Sequence, residues 1–198
     1  WLDRIMVSMT GWYCKMVDAM VLRKTTFNGA DSVLYNSQNS QVMSMQNADD
    51  AYNTGFTGTV LIIFSELFSL KTTGTYTYGR YHDTENDTIV PMDHIPPAFG
   101  QTGLSMKTKK TESEFYVRYN AWKELRDYSP SGEDNLQYAT PFGMPSWVTL
   151  NAKTSFKLNK SISVNAGLEN ILDNHYRVFA SGISAPGRNF FIALRGKF

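Results

Sequence analysis

The stretch Ser146-Trp147-Val148-Thr149-Leu150-Asn151-Ala152-Lys153-Thr154-Ser155-Phe156-Lys157-Leu158 decides the class of the fold. Successive side chains of an extended chain point to opposite faces, so Val148, Leu150, Ala152, Thr154, Phe156 and Leu158 share one face. Thr149, Asn151, Lys153, Ser155 and Lys157 share the other. Hydrocarbon does not accept unpaired lysines, so this second face meets water or protein.

The same division recurs on both sides of that stretch. Residues 161–169 set Ile162, Val164, Ala166 and Leu168 against Ser163, Asn165 and Glu169, and residues 189–198 set Phe190, Ile192, Leu194 and Phe198 against Asn189, Arg195 and Lys197. Residues 112–122 separate Phe115, Val117 and Tyr119 from Glu114, Arg118 and Asn120, and residues 101–108 separate Leu104 and Met106 from Gln101, Ser105 and Lys107. Residues 67–80 divide Leu70, Tyr76 and Tyr78 from Lys71 and a run of threonines, and 54–64 place Phe56, Val60, Ile62 and Phe64 together. Residues 4–22 carry Ile5, Val7, Met9, Tyr13, Val17, Ala19 and Val21 on one face, with Lys15 as an intruder. Period two therefore predicts eight strands, and nowhere do apolar residues hold a helical period for three turns.

The connections alternate in length. Ser65-Glu66, 109–111 and Asn159-Lys160 are tight turns, whereas 23–41, 81–98, 123–145 and 172–187 are long and polar. Short turns at one end and long loops at the other belong to up-and-down antiparallel meanders of the outer membrane, with strands that alternate apolar out and polar in. Phe64, Phe68, Phe156 and Phe198 fall beside the short turns or the chain end, and Tyr76, Tyr78 and Tyr119 toward the long loops, as two interfacial girdles would. A soluble lipocalin or sandwich alternates too, with its apolar face turned inward, and stays open as an alternative.

Composition narrows the function. The chain has 198 residues with 42% hydrophobic and 19% charged, enough for one domain. A net charge of +1 drawn from 19 basic and 18 acidic residues offers no broad attraction for nucleic acid. The single cysteine, Cys14, supports neither a disulfide nor a zinc site, and no catalytic motif or phosphate loop is present, so no enzyme, cofactor or metal is expected. No apolar run reaches the length of a membrane helix, so a membrane would be crossed by strands. The chain starts at Trp1 without a basic, apolar leader, so a signal peptide is expected to be either removed or outside this segment.

Two strings then carry a resemblance. Asn170-Ile171-Leu172-Asp173-Asn174-His175-Tyr176 resembles the N-L-F-D-x-x-Y ending of the penultimate strand in TonB-dependent outer-membrane receptors, chiefly the Bacteroidetes-like members, with Leu172 in place of the usual Phe. Pro186-Gly187-Arg188-Asn189-Phe190 resembles the P-G-R-N-F approach to their last strand. Ile95-Pro96-Pro97 with Gly100, and the stretch from Asn47 to Gly55, add weaker matches. Asn170 and Asp173 are suited to bond backbone where the strand turns away, and Gly187 to relax the chain as it re-enters the sheet.

The resemblance covers residues 1–198 and implies the C-terminal part of a plugged barrel: all-β, antiparallel, about eight strands of a roughly 22-stranded transmembrane wall. It places the plug domain, the box that contacts TonB and the earlier strands outside these residues. It implies active import of a bulky, scarce nutrient across the Gram-negative outer membrane, a ferric siderophore first, with cobalamin-like molecules or glycans as further classes. The partners it implies are the TonB energy-transducing complex, the outer-membrane assembly machinery, a small-molecule ligand and the lipid bilayer. A self-contained eight-stranded barrel with an adhesive or structural role stays as the main alternative.

Candidate residues follow from position. Trp122, Arg126, Tyr128, Tyr138, Tyr176 and Arg177 lie at strand tops or in long loops, where the resemblance implies ligand capture. Glu114, Arg118, Lys153, Glu169 and Arg195 lie on the polar face, where they meet water or pair with a plug. Phe198 matches the terminal aromatic read during barrel assembly. His82, His94 and His175 with neighbouring carboxylates, Asp49-Asp50 and Glu133-Asp134 are read as solvated loop or strand groups rather than metal ligands or an acid–base pair.

Overall fold

The structure is a computed structural model that describes residues 4–83 and 86–197, with the backbone alone at 48 and 49. Among the described residues eleven strands run in chain order: β1 Ile5–Lys24, β2 Ser32–Tyr35, β3 Gln38–Gln41, β4 Met43–Ile63, β5 Phe68–Asp83, β6 Thr88–Pro91, β7 Phe99–Lys107, β8 Thr111–Asn120, β9 Trp147–Lys157, β10 Ile162–Glu169 and β11 Asn189–Gly196. Eight of them form one antiparallel meander in the order β1-β4-β5-β7-β8-β9-β10-β11, with β6 flanking β5 and β2-β3 a separate hairpin. Among the described residues no helix is long and apolar enough to cross a membrane, which says nothing of a strand-built crossing.

The period-two reading holds across this sheet. One register row crosses all eight strands as Ile5, Ile62, Leu70, Leu104, Phe115, Ala152, Leu168 and Phe190, without a polar residue. The next row on the opposite face includes Ser69, Ser105, Glu114 and Lys153. The apolar face is open: Val7, Met9, Ile192 and Leu194 are each at least 68% exposed. A lipocalin would enclose this face, so that alternative falls, and the face is suited to lipid. β1 and β11 stand at the two edges of the sheet and do not pair with each other, so the self-contained eight-stranded barrel is not formed among the described residues.

Three strands are far longer than a membrane crossing requires. β1, β4 and β5 have 20, 21 and 16 residues, whereas a tilted crossing needs about 9–11. Their upper parts therefore rise past the bilayer on the long-loop side, and a band of rings marks the level: Tyr13 lies 6.1 Å from Tyr52, and Tyr52 lies 6.3 Å from Tyr78. Lys15 sits at the upper edge of this band, in register with Tyr52, and pairs with Asp50 at 3.2 Å, which removes it from the apolar zone it seemed to violate.

Higher still, the face rule itself changes. Asp18 has φ 53°, in the left-handed region, and this twist turns the following residues over. Ala19 and Val21, expected beside Ile5 and Val7, instead pack with Ala51 and Tyr81 on the other side, against Val90 and Met92 next to β5. Arg23 follows them inward and meets Asp83 at 3.6 Å. The part of β4 before Phe56, β6 and the β2-β3 hairpin are further strands that the period did not single out, because short polar segments carry little alternation.

The two motif strings interlock at the top of β10. Asn170, with φ 48°, donates from Nδ2 to the Asn174 and Pro186 carbonyls and accepts the Asn174 N–H, while its own N–H bonds Asn151 Oδ1 at 2.9 Å. Asp173 Oδ1 accepts the Arg188 N–H at 2.7 Å. Gly187 is needed for space rather than for freedom: a Cβ there would sit 2.6 Å from that carboxylate oxygen.

The long loops are folded. Asp134, 2% exposed, accepts the His94 N–H at 2.7 Å on Oδ1 and the Ser129 N–H at 2.8 Å on Oδ2, tying the loop after β6 to the loop after β8. The Lys123 ammonium donates to the Ile95 carbonyl at 2.8 Å and lies 4.8 Å from the Phe179 ring. Asn135 donates to the Ala180 carbonyl at 2.8 Å, which brings in the loop after β10, and Tyr128, Met144 and Phe179 form a small apolar core between them.

Two substitutions test this architecture. Leu104→Arg, on the apolar row, is expected to cost the folded protein roughly 2–4 kcal/mol in bilayers, while Ser105→Arg one residue away, facing Glu114, stays near neutral; urea unfolding in lipid vesicles reads both, and equal losses would refute the assignment of faces. Asp134→Ala strands the buried Ser129 N–H and the His94 N–H, so amide exchange at both is expected to quicken by roughly one to two orders of magnitude; unchanged exchange would show that the carboxylate does not hold the loops.

Candidate functional site

The loops after β8 and β10 enclose a hollow of about 250 Å³ above the polar end of β9. Four of the residues picked from sequence line it: Tyr128, Tyr138, Tyr176 and Arg177. Each is placed by the loop framework. Tyr128 follows a short 3-10 turn and meets Phe179 edge-on at 5.1 Å; Tyr138 ends a second such turn, and the Arg177 guanidinium lies 4.3 Å over its ring. The Tyr176 ring lies against Trp147, the first residue of β9, with centroids 4.3 Å apart and planes tilted by 36°.

Trp147, not picked out from sequence, also lines the hollow, as does His175, which was read as a solvated loop group. Trp147 was legible in principle, since it is a large ring on a face that otherwise carries Thr149, Asn151 and Lys153. Trp147 Nε1 and Arg177 Nε are both buried without a hydrogen-bond acceptor. Trp122 and Arg126 are not brought to this place: Trp122 donates to the Phe142 carbonyl at 2.9 Å on the loop surface, and Arg126 pairs with Glu124 at 2.8 Å.

Burial shapes the titration of the loops. Desolvation lowers the Lys123 amine below its ordinary value, with Asp127 and Asp134 acting against that shift. Desolvation, helped by Asp134, raises the Tyr128 hydroxyl, which stays a neutral donor and acceptor. Asp134 is committed to backbone, His94 bonds the Glu133 carbonyl, and His175 bonds Ser184. Among the described residues no three His, Cys, Asp or Glu groups gather as for a metal ion.

On the polar face the structure joins three of the five charged positions. Lys153 pairs with Glu114 at 2.8 Å and lies 5.1 Å from the Tyr116 ring, and the Tyr116 hydroxyl donates to Glu169 at 3.4 Å. Gly103 makes room for this, because a Cβ there would stand 2.3 Å from Glu114 Oε1. Arg118 lies opposite Gln101 and Thr149, and Arg195 opposite Ser163, apart from that cluster. Phe198 lies outside the described residues, as does the Asp49 side chain.

Comparison with known proteins places this geometry. Residues 18–171 match the family described as TonB dependent receptor-like, beta-barrel. No curated protein matches the sequence. Among solved structures, the copper transporter OprC superposes with a TM-score of 0.75 at 15% identity, over 99% of this chain and 29% of that one. The ferric enterobactin receptor PfeA of Pseudomonas aeruginosa, as its R480A mutant with enterobactin, gives 0.67 at 16% identity over 99% and 30%. The FrpB iron transporter of Neisseria meningitidis gives 0.71 at 13% identity over 98% and 29%. The chain thus spans about three tenths of the length of these receptors. With the apolar wall, the alternating loops and a family match over most of its length, the chain belongs to the β-barrel of the TonB-dependent receptors, proteins of the Gram-negative outer membrane.

Proposed function

We propose that this chain contributes wall and loops to an outer-membrane receptor that imports a bulky, scarce nutrient with energy delivered through TonB, a ferric siderophore being the first class, with cobalamin-like molecules and glycans after it. The observation that carries the reading is the convergence of Tyr128, Tyr138, Tyr176 and Arg177 on one loop hollow above a polar wall. A passive pore has no use for a folded, aromatic-lined loop platform, whereas capture from dilute solution does.

In this reading the loops take the ligand first. The polar wall, with Glu114, Arg118, Lys153, Glu169 and Arg195, then faces a plug and the path that opens beside it. The related structures are named for copper, iron and ferric enterobactin, which agrees with a metal-bearing ligand.

Uptake of radiolabelled ferric enterobactin and cyanocobalamin by cells with and without the gene tests the proposal. Accumulation of one probe is expected to need the gene and to stop when a protonophore collapses the inner-membrane gradient. Gene-dependent flux that persists in the protonophore would mean a passive channel and overturn it.

A further inference from the structure

We infer that the short-turn rim of this wall is a docking surface for anionic phospholipid headgroups, held by the ammonium groups of Lys109, Lys110 and Lys160. Short turns of outer-membrane barrels face the periplasm, so the lipids are those of the periplasmic leaflet. The inference goes beyond transport and holds whatever the receptor carries.

Charge is distributed unequally between the two ends of the sheet. Residues 4, 64–68, 105–112, 155–163 and 195–197 make up the short-turn end, and they hold eight basic residues against two acids, Glu66 and Glu112. Cations at the long-loop end have partners: Arg80 meets Asp127 at 3.0 Å, Arg126 meets Glu124 at 2.8 Å and Arg23 meets Asp83 at 3.6 Å. None of the eight at the short-turn end has an ion pair among the described residues. Lys107, Lys157 and Arg195 stand on the polar face of the sheet, opposite Glu112 or Ser163, and raise the local potential without touching lipid. Lys109, Lys110 and Lys160 occupy the turn tips and are exposed.

The turns hold these tips at a fixed height. Thr108 Oγ1 accepts the Lys110 N–H at 3.3 Å and the Thr111 N–H at 2.9 Å, and Asn159 Oδ1 accepts the Ser161 and Ile162 N–H groups at 2.8 and 2.9 Å. The Lys157 N–H donates to the Lys110 carbonyl at 2.8 Å, which ties the first turn to the strand that leads into the second. The backbone is thus satisfied locally, and the three ammonium groups have no hydrogen-bond partner among the described residues.

Continuity with the lipid-facing wall selects the partner. Phe156 and Leu158, both exposed, lie on the apolar face next to the Asn159-Lys160 turn, and Phe156 stands opposite Thr111 beside the other turn. A lipid whose acyl chain covers these residues carries its phosphate at the height of the lysines, where long cationic side chains reach the headgroups. A zwitterionic headgroup already holds an ammonium for its phosphate, whereas a net anionic one gains from an added cation. An acidic protein segment would meet the same charge but has no use for the apolar residues directly beside it.

The complete receptor is tested in phosphatidylcholine bilayers with a trace of photoactivatable phosphatidylglycerol or phosphatidylcholine, each with its diazirine beside the phosphate, and labelled residues are mapped by mass spectrometry. At low ionic strength phosphatidylglycerol is expected to label residues 107–112 and 157–162 about fivefold more than phosphatidylcholine, and the excess to vanish at about 1 M salt. Lys109→Gln, Lys110→Gln and Lys160→Gln together are expected to remove the excess, while Lys157→Gln with Lys107→Gln on the polar face keeps most of it. Heat-modified gel mobility checks that both variants are folded barrels, and the salt response of the unaltered receptor is read in any case. Equal labelling by the two lipids, as an acidic protein partner would leave it, overturns the inference, and so does an excess that survives high salt or the tip substitutions.

Discussion

Hydrocarbon offers no hydrogen-bond partners, so every backbone N–H and C=O that crosses it has to be satisfied inside the sheet. That constraint dictates the rest of this molecule. It forces continuous antiparallel ladders from β1 to β11, it forbids irregular chain below the band of aromatic rings, and it drives all loops to one end and all tight turns to the other. Once the backbone is committed in this way, side chains have only two directions to point, and the division of lipid-facing from polar residues follows from the pleat.

Within the ladders the sequence is a nearly complete record of the fold, because solvent differs on the two faces and each residue has to choose. Leu104 beside Ser105, or Val148 beside Thr149, needs no further context. Above the rings of Tyr13, Tyr52 and Tyr78 the record weakens, since both faces meet water and alternation loses its physical cause. There a single left-handed residue, Asp18, reverses the faces of β1, and nothing in the period announces it. Lys15 looked anomalous for the same reason: it was read by a rule that had stopped applying.

The candidate site divides along similar lines. That aromatic and basic residues in the long loops deserved notice was legible, and four of six meet at one hollow. Which four was not, because loop conformation depends on contacts between segments far apart in sequence, such as Asn135 with Ala180 and Lys123 with Ile95. Trp147 escaped because it belongs to a strand and was read as part of the wall. Gly187 shows a subtler gap: its presence was explained by backbone freedom, whereas the carboxylate of Asp173 fills the volume a side chain would need.

The carboxylate of Asp134, bonded at once to two loops, has a consequence for recognition kinetics. Loops that order only on contact lose conformational entropy at that moment, and their selectivity is blurred by their ability to remould around the wrong molecule. Here that ordering belongs to folding, before any encounter. In the proposed capture role these three loops therefore act as a preorganised part of the mould, and discrimination between ligands falls mainly on how long each one stays.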